Sequence, residues 1–322
     1  TLQSIGNGAG EFSRIQQPTM EGFDQLRNYK HQWQCVETGP VRDVFQTIQP
    51  LKDTKAILRV IMYKTTKRID LDVDLNQFNG ENWREFRLAF PVNMKQAKVA
   101  YEVPMGVVEV GKDEIAGAAG FSKATQIYDT PCREVHPREV QDWFSVSDGK
   151  AGLTISSDVA VFDWVDPTDS PVDYPILQPI LLSSRKSCHW LGNYYLQPGN
   201  HSYSFSLFTH AGDWKNAYRS GTQAKQPLQV VVSNPLERTG YMPEQYSFGS
   251  VTGKGIIVST IKKCEDDDSI VLRCYDIEGK NTEARFTFPQ DIRTVNHTNI
   301  IEEEPTSVSS SGKGFSYPVG HH

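Results

Sequence analysis

The sequence predicts an all-β protein, in which a large antiparallel β-sandwich is followed by a smaller β-sandwich unit. Apolar and polar residues alternate at the period of a strand through most of the chain. Glycine or proline stands in most intervals between these segments, as at Gly39-Pro40 and Asn234-Pro235. Apolar residues at helical spacing are few. Many short strands separated by turns are typical of packed antiparallel sheets, so we expect helix well below the average of roughly one third.

One strand segment carries a notable charge pattern. Ile69 to Leu75 alternates strictly, which places apolar side chains on one face and Asp70, Asp72 and Asp74 on the other. The three aspartates resemble the start of a calcium loop, but Leu75 stands where an EF-hand requires glycine. We therefore interpret them as a solvated strand face that can protect a sheet edge. The other predicted strands are 107–110, 152–155, 202–208, 229–232, 255–261 and 284–288.

A domain boundary is predicted at the turn Ser233-Asn234-Pro235. Residues 1–233 would form the large sandwich and residues 234–322 the smaller unit. The smaller unit should contain a hairpin, 255–264 and 270–277, around the acidic turn at 265–268. Helix is expected only as short turns, one within 20–34 and one at 138–144, which follows Pro137.

Composition excludes several classes of protein. The net charge is −6, and no cluster of Lys and Arg is interleaved with aromatic residues, which argues against a nucleic-acid partner. No window approaches the roughly 18 consecutive apolar residues of a membrane span, so a soluble protein is expected. The chain begins at Thr1 without a methionine or a signal-like segment. We therefore expect a fragment, with any targeting segment removed or upstream of Thr1, and the compartment stays unknown.

No catalytic motif or metal site is predicted in this chain. The five cysteines are widely spaced without a CxxC pair, so neither a disulfide framework nor a zinc ribbon is indicated. The eight histidines include no HxH or HxxxH pair within the body of the chain. A GxSxG elbow, a P-loop and a GxGxxG motif after a strand are also missing. We expect no cofactor to be bound by these residues.

Carbohydrate contacts or a domain interface are the functions expected of seven side chains. The first group is His136, Arg138, Gln141 and Trp143, whose imidazole, guanidinium, amide and indole could stack on a sugar ring and bind its hydroxyls. We expect this segment to be partly exposed, with Arg138 or His136 lacking strong intramolecular partners. The alternative is that Trp143 enters the core while the charges face water.

The second group lies in the stretch from Tyr174 to His210. Arg185, near His189 and Trp190, is one candidate, and His201 and His210 lie at strand ends. Leu181, Leu182 and Arg185 precede an alternating strand that contains Gly199, His201, Tyr203 and Phe205 and closes at His210. This order resembles the C-terminal β-rich half of glycoside hydrolase family 38 α-mannosidases, in which a Leu-Leu-x-x-Arg stretch precedes a Gly-x-His-x-Tyr/Phe-x-Phe/Tyr strand.

Further segments resemble that family in the same order along the chain. The family has a Tyr-Glu-x-Pro-aromatic-Gly turn, and here Met105 stands in place of the usual aromatic residue. The family also has a Trp-x-Asp-x-Ser-x-x-x-Gly-hydrophobic element, whose common version is altered here by Phe144-Ser145. The matching segments are Glu37 to Arg42, Arg68 to Pro91, Tyr101 to Gly106, Gln141 to Leu153, and Ile261 to Gly279. Together they extend over almost the whole chain.

The resemblance implies a galactose mutarotase-like supersandwich followed by a smaller sandwich. It implies a parent enzyme that hydrolyses α-mannosides with retention, using two carboxylates about 5 Å apart and a zinc ion. In the family these groups lie in an α/β barrel that precedes this region, and no matching positions exist here. The chain would then frame the substrate and support that N-terminal catalytic domain, without activity of its own. The implied partners are a mannose-containing glycan, the catalytic domain, and further copies through the parent.

Two functions from other classes stay open. A carbohydrate-binding β-sandwich could act alone. An aldose-epimerase-like enzyme could use His201 or His210 with a carboxylate as acid and base on a sugar anomer. A sandwich fold hosts each of these functions, so the arrangement of side chains must decide. A histidine and a glutamate that converge on a concave face would favour the epimerase.

Overall fold

The structure, a computed structural model, describes residues 1–7, 18–113, 137–186, 194–232 and 243–320. Strands account for 54% of this structure and helices for 5%. The described strand pairs are antiparallel. The prediction of an all-β protein with little helix is confirmed.

The chain forms two compact units. The first comprises Thr1–Val103 and Val108–Pro227, and the second comprises Pro104–Val107 and Leu228–His322. The predicted boundary between residues 233 and 234 lies outside the described residues and stays a prediction.

The described secondary structure consists of short strands with one α-helix. The strands are β1 (Leu2–Asn7), β2 (Pro18–Gln25), β3 (Gln34–Thr38), β4 (Arg42–Leu51), β5 (Thr54–Tyr63), β6 (Arg68–Phe78), β7 (Arg84–Leu88), β8 (Phe90–Pro91), β9 (Lys98–Val103), β10 (Gly106–Glu109), β11 (Arg138–Glu139), β12 (Trp143–Ser147), β13 (Ala151–Ser157), β14 (Val161–Asp163), β15 (Ile176–Lys186), β16 (Tyr194–Tyr195), β17 (Gly199–Ala211), β18 (Ser250–Thr252), β19 (Ile256–Lys263), β20 (Ile270–Asp276), β21 (Thr282–Thr287), β22 (Val295–His297), β23 (Thr306–Val308), β24 (Ser310–Ser311) and β25 (Gly314–Val319). The helices are α1 (Tyr218–Lys225) and the 3₁₀ turns Leu26–Asn28 and Trp214–Asn216.

A nine-stranded sheet forms one layer of the first unit, with the order β10-β9-β12-β13-β17-β6-β5-β4-β3. Strand alternation gives it an apolar inner face, where Val73 and Leu75 are fully buried. The outer face is less solvated than predicted. Asp70 is 8% exposed and accepts hydrogen bonds from Tyr63, Arg68 and Ser206 at 2.6–2.7 Å. The expectation of a solvated face is wrong at Asp70, because neighbouring strands supply donors to its carboxylate.

An eight-stranded sheet forms the other layer, with the order β11-β14-β15-β7-β1-β2 and with β8 and β16 also paired to β15. All five residues of β7 are buried. Arg87 in this strand is 2% exposed and binds two carboxylates, Glu85 at 2.5 Å and Asp163 at 3.0 Å. These two charges outweigh the burial of Arg87 and raise the pKa of its guanidinium, so it stays charged.

The two sheets share one apolar core. Phe144 of the nine-stranded sheet stacks on Phe162 of the eight-stranded sheet, with ring centroids 4.6 Å apart. Phe86 and Phe205 are also buried in this core. Burying each ring contributes roughly 1.5–3 kcal/mol to the free energy of folding relative to leaving it exposed. These contacts therefore hold the two sheets face to face.

Most of the predicted strands are present. The segment 229–232 is an exception, since it forms no strand and Val230, Val231 and Val232 are exposed. The helical turn predicted at 138–144 is also wrong. That segment forms β11 and the start of β12, because Phe144 and Trp143 take opposite faces of a sheet.

The second unit has its own smaller core. Its sheets are β18-β21-β25-β24, the hairpin β19-β20, and the pair β22-β23. Ile256, Ala284, Phe286 and Val319 are buried together. The hairpin surrounds the acidic turn at 265–268, as predicted. No helix in the described parts of either unit is long and apolar enough to cross a membrane.

Candidate functional site

The first predicted group is divided by the fold. His136 lies outside the described residues. Gln141 is exposed, and Arg138 lies over the ring of Trp164, with its guanidinium carbon 5.3 Å from the ring centroid. Arg138 therefore has an intramolecular partner, since a cation over an indole face is held electrostatically. The expectation that Arg138 or His136 lacks strong partners stays a prediction for His136.

Trp143 is fully buried beneath α1. Its ring lies 6.1 Å from that of Trp214, and a Cβ added at Gly221 of α1 would approach its Cγ to 2.7 Å. The alternative considered for Trp143, that it enters the interior, matches this position. The helix lies on the outer face of the nine-stranded sheet. The indole of Trp143 therefore packs between the helix and the sheet and does not face solvent.

A buried carboxyl lies near this tryptophan. Glu102 is 3% exposed, and its Oε2 atom has no hydrogen-bond partner. Burial, followed by the charge of Asp142, raises the pKa of Glu102 to about 7. The pKa of Asp142 is also raised by burial. Desolvation thus moves the titration of Glu102 close to neutral pH.

His210 lies in a polar pocket on the same outer face. Its Nε2 atom is 3.3 Å from Ser145 Oγ and 3.2 Å from Thr154 Oγ1. Burial lowers the pKa of His210, so the neutral imidazole dominates at pH 7. The pocket has a volume of about 290 Å³, and its other lining residues include Lys67, Arg68, Asn216 and Ser220.

His201 and His210 do not form one site. The Nε2 atom of His201 lies 2.8 Å from the carbonyl oxygen of Gln197. The two histidines are nine positions apart on β17, about 30 Å at the rise of a strand, and alternation points them to opposite faces. Among the described residues, no histidine is hydrogen-bonded or ion-paired to a carboxylate. The acid and base that an epimerase requires are therefore not assembled by this part of the chain.

Arg185 lies beside aromatic side chains that the sequence reasoning did not identify. Arg185 is paired with Tyr195 across β15 and β16, and both are exposed, Tyr195 by 55%. On the other side of β15, the backbone N–H of Trp83 donates to Ser184 O at 3.0 Å. The sequence signal for Tyr195 was the pair Tyr194-Tyr195 in a Gly- and Pro-rich turn, whereas Trp83 had no local signal.

A metal centre is not formed by the described residues. No group of three or more His, Cys, Asp or Glu side chains in them could hold a metal ion. The three described cysteines, Cys35, Cys264 and Cys274, are free thiols.

Comparison with known proteins finds a family model that matches the C-terminal residues of the chain. Residues 255–321 match the family model described as the glycosyl hydrolases family 38 C-terminal beta sandwich domain. The resemblance to family 38 is confirmed. Among curated proteins, α-mannosidase G of Dictyostelium discoideum is 27% identical over 124 residues, which are 37% of this chain and 11% of that protein.

Solved structures share the fold over almost the whole chain. An α-mannosidase from Enterococcus faecalis V583 superposes with a TM-score of 0.73 at 14% identity, covering 99% of this chain and 37% of that protein. A family 38 protein from Enterococcus faecalis gives a TM-score of 0.71 at 13% identity, covering 99% of this chain and 40% of that one. The chain thus spans less than half the length of these relatives.

Proposed function

We propose that this chain is the C-terminal β-rich portion of a retaining, zinc-dependent α-mannosidase, where it frames the substrate and supports a catalytic domain outside the chain. The observation that carries the proposal is the match of residues 255–321 to a domain found at the C-terminus of family 38 enzymes. The shared fold over 99% of the chain supports the same assignment for the first unit. The α-mannosidase from Dictyostelium discoideum gives the substrate class, an α-mannoside or a mannose-containing glycan.

The described residues do not fit a zinc site, so no step of the reaction is assigned to zinc on this chain. Retaining hydrolysis also needs a nucleophilic carboxylate and an acid/base about 5 Å apart in an accessible cleft. Glu102 and Asp142 are neighbouring carboxyls, but Glu102 is buried and inaccessible to a sugar. We therefore assign zinc and both catalytic carboxylates to the N-terminal part of the parent protein.

A sandwich of this kind can contribute rigid positioning. Its two sheets share one core, and the buried Arg87 links β7 to β14 through Asp163. Loops held on such a scaffold keep their polar groups within the small displacements that catalysis tolerates. The partners we propose are the N-terminal catalytic domain, a mannose-containing glycan and further copies of the parent.

The stereochemistry and metal dependence of the parent test this proposal. The longer protein that contains this chain should release α-mannose first from an aryl α-mannoside, as followed by proton NMR before mutarotation. Removing metal with a chelator should abolish turnover, and zinc should restore it. Initial release of β-mannose, or full activity after verified metal removal, would contradict the proposal.

A further inference from the structure

We propose that the polar pocket beside His210 binds a phosphate group, either as free inorganic phosphate or as the phosphate of a monoester. The pocket has a volume of about 290 Å³, and its lining residues all belong to the first unit. This inference goes beyond the proposed function, because phosphate binding does not depend on the hydrolysis of a mannoside.

Two cations line one side of the pocket. Lys67 ends the turn between β5 and β6, and Arg68 is the first residue of β6. Within the part of the chain that the structure describes, Lys67 is exposed and has neither an ion pair nor a hydrogen bond. Arg68 donates to Asp70 through Nε at 2.6 Å, and its two Nη groups have no hydrogen-bond partner among the described residues. The ammonium and the guanidinium can therefore both donate to a bound anion.

His210 forms a second wall, which is held in place by the sheet. Phe208 is paired with Arg68 across β17 and β6, and His210 lies two residues further along β17 on the same face. The imidazole packs over Gly152 of the neighbouring strand, where an added Cβ would lie 2.2 Å from its Cε1 atom. On another side its Nε2 atom is 3.2 Å from Thr154 Oγ1. The wall that faces the cations is therefore formed before any ligand binds.

Hydroxyl and amide groups complete the lining. Thr209 of β17 and Ser220 of α1 contribute hydroxyls. Asn216 contributes an amide whose Nδ2 atom donates to Ala211 O at 2.8 Å. None of the described residues that line the pocket is an aspartate or a glutamate. The lining thus combines positive charge with several hydrogen-bond donors and has no carboxylate that would repel an anion.

These groups favour phosphate over other ligands. A phosphate group offers several acceptor oxygens, and its negative charge matches the two adjacent cations. A neutral saccharide would gain little from two cations at one side of its site. A nucleic acid needs cations spread along a surface, whereas this chain has a net charge of −6. Because Lys67 is exposed to solvent, we expect weak binding, with a dissociation constant of about 1 mM.

Phosphorus-31 NMR on the 322-residue chain tests the pocket, with inorganic phosphate as the probe at pH 7 and constant ionic strength. Wild type should broaden the phosphate signal in a saturable way. Lys67→Ala and Arg68→Gln should each weaken binding about tenfold, as expected for one lost charged hydrogen bond. Lys95→Ala is the matched control, because Lys95 is also exposed in a turn and has no ion pair among the described residues, but it does not line the pocket. This variant should bind like wild type.

Methyl phosphate distinguishes the two sources of the group. Binding as tight as that of inorganic phosphate would indicate a phosphomonoester as the ligand, and weaker binding would indicate the free anion. Circular dichroism should show that all four proteins are folded.

Three results would overturn the inference. They are no saturable broadening by folded wild type, wild-type affinity in both Lys67→Ala and Arg68→Gln, or an equal loss of affinity in Lys95→Ala. The last would mean that phosphate responds to the charge of the whole surface and not to this pocket. None of these results concerns turnover by the parent, so the proposed function is decided separately.

Discussion

At the scale of single residues, the interior of this protein depends on how buried charges are compensated. Arg87 is compensated by two carboxylates, whereas Glu102 has an oxygen without a hydrogen-bond partner. The two carboxylates keep Arg87 charged inside the fold, whereas burial disfavours the charged form of Glu102. Opposite effects of mutation follow from this difference.

Glu102→Gln should stabilise the protein at pH 8 and leave it unchanged at pH 4. The carboxyl titrates near 4.5 when unfolded and at about 7 when folded. Between these values the unfolded state has lost the proton that the folded state keeps, so wild-type stability falls as pH rises through this window. Each unit of pKa shift is worth about 1.4 kcal/mol, and partial screening reduces the sum to about 2 kcal/mol.

Urea unfolding at both pH values measures this effect. Glu139→Gln, at an exposed position of β11, is the control and should match wild type at both. Equal midpoints for Glu102→Gln and wild type at pH 8 would show that Glu102 is not a destabilising buried carboxyl.

Arg87→Ala should destabilise the fold by about 3–5 kcal/mol, because Glu85 and Asp163 would remain buried without their cation. Arg42→Ala is the control. Arg42 also binds a carboxylate, Glu37, at 2.7 Å, but both side chains are more than 40% exposed. Its unfolding midpoint in urea should barely move. Similar midpoint shifts for the two variants would contradict the account of the buried network.

At the scale of elements, alternation predicted strands well and failed where packing decides. Ile69 to Leu75 was predicted and lies within β6, since one of its faces is buried. The apolar segment 229–232 has strand composition but no pairing partner in the described structure. Helix α1 was missed because Tyr218 to Lys225 contains a glycine and no apolar repeat, and its position depends on contact with Trp143.

The candidate site shows the same limit. Arg185 was identified from its own sequence neighbourhood, but Tyr195 joins it only through strand register. His201 and His210 share a strand, yet alternation sends them to opposite faces. Sequence proximity therefore identified single side chains, while their grouping required the sheet order.

Gly221→Ala should destabilise α1 although alanine is the better helix former. The intrinsic gain is about 1 kcal/mol. The added Cβ would lie 2.7–2.9 Å from three atoms of Trp143. Trp143 is fully buried, so its ring cannot move away without displacing its neighbours. Overpacking of this kind costs roughly 1–3 kcal/mol and more where the backbone must shift, so we expect a net loss of about 1–2 kcal/mol.

Thermal unfolding, monitored by near-UV circular dichroism of the tryptophans, measures the stability of Gly221→Ala. Gln223→Ala, exposed on the same helix, should leave stability equal or slightly higher. A higher unfolding midpoint for Gly221→Ala, together with an unchanged tryptophan spectrum, would mean that α1 does not pack tightly on Trp143.

At the scale of the whole molecule, the chain has an architecture shared with a larger protein. It covers 37% of the α-mannosidase from Enterococcus faecalis V583, and its C-terminal residues match a family 38 domain. Its described residues hold neither a metal cluster nor a histidine–carboxylate pair. The proposed roles, scaffolding and substrate contact, require neither of these groups.

Hydrolysis of an aryl α-mannoside, measured in parallel for this chain and for the longer protein that contains it, tests the central claim most directly. Both samples should be supplied with zinc and freed of contaminating glycosidases. We predict turnover by the longer protein and none by the 322-residue chain. Turnover by the chain alone, or no turnover by the longer protein, would contradict its role as the non-catalytic portion of an α-mannosidase.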